Sequence, residues 1–191
     1  MPLKGRALFL DRDGVININH GYVNRLEDFN FIEGIFDVVR AAATQCFQLV
    51  VITNQAGIAR GFYSEQQFHE LTQWMCDQFL LQGAPIAKVY YSPFHPTEGI
   101  GKYKKDDLSR KPHPGMILQA KHELNLNLER SILIGDKVSD IQAGISAGVG
   151  CNLLFANDEP AELHNVDYKR ITSLADALPL LNSIKAQREA P

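Results

Sequence analysis

Cysteine is scarce. Cys46, Cys76 and Cys151 are the three in 191 residues, far apart, odd in number and without a C-x-x-C pair. That argues against a disulfide framework and against a cysteine-rich zinc site; three reduced thiols in or near a core are the simplest expectation. An excess of one charge is also lacking, with 19 basic residues against 22 acidic ones and a net charge of −3. Such a balance offers no general attraction to nucleic acid or to an anionic membrane surface. No apolar run approaches the length that spans a bilayer, so neither nucleic acid nor membrane is an expected partner. The stretch MPLKGRALFLDRDG starts basic but has no long apolar core or small-residue cleavage site, so a cytoplasmic location is expected. Internal repeats and domain-splitting linkers are missing too, which leaves residues 1–191 as one expected domain.

What is present is an alternation of apolar, β-branched runs with helical patterns. ALFL (7–10), LVVITN (49–54), KVYYS (88–92), SILIGD (131–136) and CNLLF (151–155) read as strands. Helices are expected over Gly34–Ala43, over 64–81 with Ser64 as N-cap, over Pro114–Leu124, over Lys137–Ala147 up to Gly148, and over Ser173–Ile184, with QREAP as a frayed tail. Phe68, Leu71, Trp74, Met75 and Phe79 recur at helical spacing and are expected in the core. Strand–helix alternation implies an α/β fold with a parallel sheet and helices on both faces. Residues 93–112 are rich in Pro, Gly and Lys and aperiodic, a long loop of the kind that is usually functional.

Three strands end in polar residues: Asp11-Arg12-Asp13-Gly14, Thr53-Asn54-Gln55 and Gly135-Asp136-Lys137. The basic pair Arg110-Lys111 precedes the helix that begins near Pro114. In a parallel sheet these strand ends share one edge, where ligands of open α/β sheets bind. Asp11 and Asp136 are oxygen ligands suited to a hard cation such as Mg²⁺. One carboxylate can act as a nucleophile and another, two residues along, can move a proton. A hydroxyl and a lysine can stabilise phosphoryl oxygens. The set reads as a phosphoryl-transfer centre; taken by itself, the first stretch could equally be a strand followed by a solvated acidic turn.

In order, D11-R-D-G14, T53-N, K111-P and G135-D-K-V-S-D140 resemble the four motifs of the haloacid dehalogenase-like phosphatases. The resemblance covers roughly residues 5–155 and implies a Rossmann-like domain. It implies Asp11 as nucleophile and metal ligand, Asp13 as general acid/base and metal ligand through its backbone carbonyl, Thr53 and Lys111 as phosphate-holding groups, and Asp136 as a Mg²⁺ ligand. Asp140 is expected to give structural support. Residues 12–33 are too few for a cap domain, so the cap should be minimal and the loops 15–32, 55–63 and 94–110 should shape the pocket. INHGYV (18–23), NQAGIARG (54–61) and RKPHPG (110–115) are similar to the heptose-bisphosphate and histidinol-phosphate phosphatase branch, and favour the former. That likeness implies a small sugar bisphosphate as partner, in the making of nucleotide-activated heptose for lipopolysaccharide. Asn19, His20, Gly21, Tyr22, Asn54 and Arg110 would then meet substrate, with Arg110 forking onto a second phosphate. Another small phosphate monoester, histidinol phosphate first, is the alternative substrate; a non-catalytic phosphate-ligand sensor is the alternative class. A monomer is expected.

The charge logic at this stage is that cations should hold the pKa of Asp11 down, while a neighbouring negative charge should favour the proton on Asp13. One departure from the family stands out. Such relatives usually carry a structural zinc in the long loop, but Ser92, Phe94, Asp107 and Ser109 occupy the ligand positions. Serine gives no thiolate and phenylalanine no donor, so no zinc is expected. The loop should be looser, or held by packing of Phe94 and Tyr103. His95 is expected to be a loop histidine, and His69, His122 and His164 to lie on the surface.

Overall fold

The computed structural model describes residues 4–158, 160–163 and 166–183; His164 and the QREAP tail lie outside them. Among the described residues six strands form one sheet in the order β3-β2-β1-β4-β5-β6: β1 (Arg6–Leu10), β2 (Phe47–Asn54), β3 (Ile86–Ser92), β4 (Ile132–Gly135), β5 (Cys151–Phe155) and β6 (Lys169–Ile171). Every pairing is parallel. Helices α1 (Ile35–Thr44), α2 (Ala56–Ala59), α3 (Glu65–Leu81), α4 (Gly115–Glu123), α5 (Val138–Ala147) and α6 (Leu178–Ser183) connect or follow them.

Strand β1 is buried along its whole length because it lies between β2 and β4. Its side chains alternate between faces, as a pleated strand requires. Leu8 and Leu10 join Val38, Val51, Met75 and Ile134 in one core cluster, served by α1, α3 and α6. Ala7 and Phe9 join Ile52, Met116, Ile117 and Ile141 in the other, served by α4 and α5. Apart from Ala7, each of these fully buried side chains contributes about 1.5–3 kcal/mol. Helix α3 begins with a capping box, in which Ser64 Oγ accepts from the Gln67 N–H and Gln67 Oε1 from the Ser64 N–H.

Register positions the site. Leu10 pairs with Val51 on one side and Ile134 on the other. Asp11 therefore falls level with Ile52 and Gly135, and Thr53 and Asp136 lie one step beyond. The chain order reverses between β1 and β4, the switch point at which α/β sheets take ligands. Between β1 and α1 the only helical or strand element is the 3₁₀ turn Leu26–Asp28, in keeping with a minimal cap.

Several expectations are adjusted. The edge strand β6 and the short α2 were not expected. The expected helix from Ser173 is a 3₁₀ turn, Leu174–Ala177, followed by α6. Cys46 is exposed, at a positive φ of 60°, rather than near a core. Among the described residues no helix is long and apolar enough to cross a membrane.

Candidate active site

Lys111 is the hub. It is 3% exposed, and its Nζ lies 2.9 Å from Asp11 Oδ1, 2.7 Å from Asp140 Oδ1 and 2.9 Å from the Ile52 carbonyl. One ammonium thus ties together the tips of β1 and β2 and the first turn of α5. Asn54 holds it in place. Its Nδ2 donates to the Lys111 carbonyl and its Oδ1 accepts from the Lys111 N–H, both at 3.0 Å. That reciprocal pair joins the end of β2 to the end of the long loop.

Burial pulls the Lys111 ammonium toward its neutral form, but Asp11 and Asp140 outweigh it and raise its pKa above the ordinary lysine value. Asp11 behaves differently from expectation. Burial pushes its carboxyl up to about 7, with Asp140 and Asp136 adding to the rise, and Lys111 offsets only part of this. Lys111 does stand against the carboxylate, but desolvation is the larger effect. Asp136 is likewise raised, first by burial.

Asp13 is held in a fork. Arg12 Nε and Nη2 donate to its two oxygens at 3.1 and 3.0 Å. Gln55 Nε2 adds a bond at 3.0 Å and Asn17 Nδ2 one at 3.1 Å. The charged group against Asp13 is therefore a guanidinium and not the negative neighbour expected. Arg12, itself 1% exposed, also donates to the Val23 carbonyl and so pins the following loop. Gln55 continues the network: its Nε2 also donates to Thr53 Oγ1 at 2.8 Å, and its Oε1 accepts from Tyr63 OH at 2.5 Å. Burial raises the Tyr63 hydroxyl to about 12, which keeps it a donor.

Asp11, Asp136 and Asp140 each offer an oxygen within 4.8 Å of the others. Asp136 Oδ1 is buried without a hydrogen-bond partner, an arrangement that costs free energy unless a cation or water meets it. Asp140 is otherwise engaged: Oδ1 takes Lys111 and Oδ2 takes the Lys137 N–H at 2.9 Å, capping α5. An oxygen-only donor set of this kind fits a hard divalent ion. Gly14 makes room for it. At φ 102°, a Cβ there would stand 2.2 Å from Asp136 Oδ2.

A cavity of about 630 Å³ opens beside this cluster, lined by Asp13, Asn19, Gly21, Tyr22, Asn54, Arg110 and Lys111 among others, a size suited to a small-molecule ligand. Of the expected substrate residues, His20 alone is not in the lining; it sits exposed on the same turn. Asp11 and Thr53 lie beneath the wall, 5% and 1% exposed. Lys137, Ser139, Gln55 and Tyr63 also line the cavity and were not among the expected site residues. Gln55 and Lys137 stand just past strand ends and Tyr63 lies in the loop 55–63 expected to shape the pocket, which were the available signals; Ser139, in the first turn of α5, carried none.

A HAD-hydrolase-like family profile matches residues 108–177. The D-glycero-alpha-D-manno-heptose-1,7-bisphosphate 7-phosphatase of Burkholderia mallei is 49% identical over 179 residues, covering 94% of this chain and 95% of that protein. The D-glycero-beta-D-manno-heptose-1,7-bisphosphate 7-phosphatase of Vibrio cholerae is 47% identical, covering 81% of this chain and 83% of that one. A solved D,D-heptose 1,7-bisphosphate phosphatase from B. bronchiseptica, complexed with magnesium and phosphate, has the same fold, with a TM-score of 0.79 at 22% identity over 93% of this chain and 98% of that one.

Proposed function

The chain belongs to the heptose-1,7-bisphosphate 7-phosphatase family of HAD-like hydrolases, and from that premise we propose that it hydrolyses the 7-phosphate of D-glycero-D-manno-heptose 1,7-bisphosphate. It does so with Mg²⁺, as a single cytoplasmic phosphatase domain. The observation that carries this reading is the Lys111 ammonium between Asp11 and Asp140, with Asp136 alongside, at the edge of a cavity that Arg110 also lines. We read the step as part of making nucleotide-activated heptose for lipopolysaccharide.

Asp11 is the nucleophile. Its carboxylate oxygen forms a bond to phosphorus as the bond from phosphorus to the sugar oxygen breaks. Asp13 gives that oxygen its proton, then takes one from the water that attacks the aspartyl-phosphate and frees inorganic phosphate. The Arg12–Gln55–Asn17 fork holds Asp13 at the cavity wall until then. Lys111 neutralises charge shared between Asp11 and the phosphoryl oxygens, and Thr53, oriented by Gln55, supplies a hydroxyl. Asp11 and Asp136 would hold Mg²⁺, with the Asp13 backbone carbonyl; when bound, the ion offsets negative charge between carboxylate and phosphate. Since Asp11 must be ionised to attack, a cation beside it works against the burial that raises its pKa.

Phosphate release tests this. The substrates are the two heptose 1,7-bisphosphate anomers, fructose 1,6-bisphosphate and histidinol phosphate, each with Mg²⁺ and with chelator. A heptose bisphosphate should give the highest kcat/KM, and chelator should abolish turnover. A preference for histidinol phosphate, or turnover indifferent to chelation, would overturn the assignment.

A further inference from the structure

The loop that delivers Arg110 carries Ser92, Phe94, Asp107 and Ser109 at the positions where the family resemblance implies zinc ligands, and the structure supplies something else there. Two hydroxyls, a phenyl ring and one carboxylate do not make a zinc site. Among the described residues, the only group of three or more His, Cys, Asp or Glu with clustered ligand atoms is Asp11, Asp136 and Asp140. Asp107 is already engaged through both oxygens. Its Oδ1 accepts from the Ser109 N–H at 2.9 Å and from Ser109 Oγ at 2.7 Å, and its Oδ2 pairs with Lys105 at 2.7 Å. Ser109 Oγ also lies 3.0 Å from Ser92 Oγ, so two hydroxyls form a chain from the fully buried end of β3 to the carboxylate. Lys105 Nζ in turn sits 3.9 Å from the centroid of the Phe94 ring, which also neighbours the Tyr103 ring at 6.3 Å between centroids.

All four altered positions are thus used, and two of them hold Arg110 from both ends. The Asp107 carbonyl accepts from the Arg110 N–H at 2.9 Å, and the Phe94 carbonyl accepts from Arg110 Nη1 at 3.1 Å. A second anchor fixes the loop's outer half: Glu65 accepts from Tyr91 OH and Tyr103 OH, and the Ile100 N–H donates to the Ala59 carbonyl.

We propose that Asp107 is a positioning residue, the centre of a metal-free side-chain clamp that orders residues 92–110 and aims the Arg110 guanidinium at the second phosphate of the sugar bisphosphate. This rests on the reading of Arg110 as the ligand of that phosphate. Specificity for a bisphosphate over a monophosphate then depends on a carboxylate that never touches substrate.

Two variants separate the outcomes. D107A removes the acceptor, whereas D107N keeps an oxygen for Ser109. With heptose 1,7-bisphosphate, D107A should raise KM about tenfold, the order expected for one lost charge-assisted hydrogen bond, and leave kcat within about twofold. With heptose 7-phosphate neither variant should differ from wild type, and D107N should stay near wild type on both. An equal fall in kcat on both substrates, or an unchanged KM, overturns the proposal. The metal arm is independent of substrate. Elemental analysis should find zinc well below one per chain, and a zinc-selective chelator should leave the thermal midpoint unchanged; stoichiometric zinc or a lowered midpoint overturns the clamp. If R110A leaves the bisphosphate KM unchanged, the Arg110 reading falls and the aiming with it, while the metal arm still decides what orders the loop.

Discussion

Replacing Lys111 with Met leaves two carboxylates without their cation. Asp11 and Asp140 have side chains 7% and 1% exposed, and Lys111 is their shared partner at 2.9 and 2.7 Å. Methionine fills similar space, so packing loss is small and the effect is electrostatic. Breaking a buried ion pair from one side costs about 3–5 kcal/mol, because the stranded charge stays desolvated. That is a large share of the roughly 5–15 kcal/mol that stabilises a domain. The assay is urea denaturation with chelator at pH 7.5 and at pH 5.5. Burial already raises the Asp11 pKa and Lys111 offsets part of that rise; without Lys111 it rises further above the unfolded value, so the folded variant binds protons more tightly than the unfolded chain. Its stability therefore increases as pH falls, and the deficit should be smaller at pH 5.5. K111M/D140N should recover part of the loss at pH 7.5, since one stranded charge is gone. A K111M deficit under about 1 kcal/mol at pH 7.5, within the range of a surface pair, or one that grows at acid pH, would refute the reasoning.

Asp11 carries a related prediction. Burial raises its pKa from 3.8 to about 7, so its contribution to stability is full below the unfolded value and lost as pH rises through about 7; in chelator, D11N should melt with a flatter pH dependence than wild type between pH 5 and 8, and a parallel dependence would count against the buried geometry. Asn54 makes two bonds to the Lys111 backbone; N54A should lose about 1–3 kcal/mol of stability and about tenfold in kcat as Lys111 drifts from Asp11, measured by denaturation and phosphate release, and wild-type turnover would show that the amide does not hold the lysine.

Much of the frame was legible because its physics is local. Central strands are apolar runs that end in polar residues, and β1, β2, β4 and β5 were found within two residues of their observed bounds. Strand β6 escaped because two of its three residues, Lys169 and Arg170, are exposed charges at the sheet edge. Asp11, Thr53 and Asp136 could be located from strand ends, and Lys111 from the basic pair that precedes a helix. What spacing could not show was where the side chains point. The fork on Asp13 is a rotamer choice made by Arg12, and the Asn54 amide is used by backbone that lies 57 residues away. Nor could spacing weigh desolvation against a nearby lysine, so the direction at Asp11 was misjudged. The long loop combines both lessons. Packing of Phe94 and Tyr103 was anticipated, but the Ser92–Ser109–Asp107 chain depends on three-dimensional proximity across the loop.

The covalent state of Asp11 during turnover tests the central claim most directly. The enzyme is mixed with heptose 1,7-bisphosphate and Mg²⁺, quenched in acid within the first turnovers, digested and analysed by mass spectrometry. The account predicts the peptide containing Asp11 heavier by one phosphoryl group, the label on Asp11 itself, and neither label nor phosphate release in D11N. Phosphate release by D11N at the wild-type rate, or a phosphoryl group carried on any other residue, would contradict it.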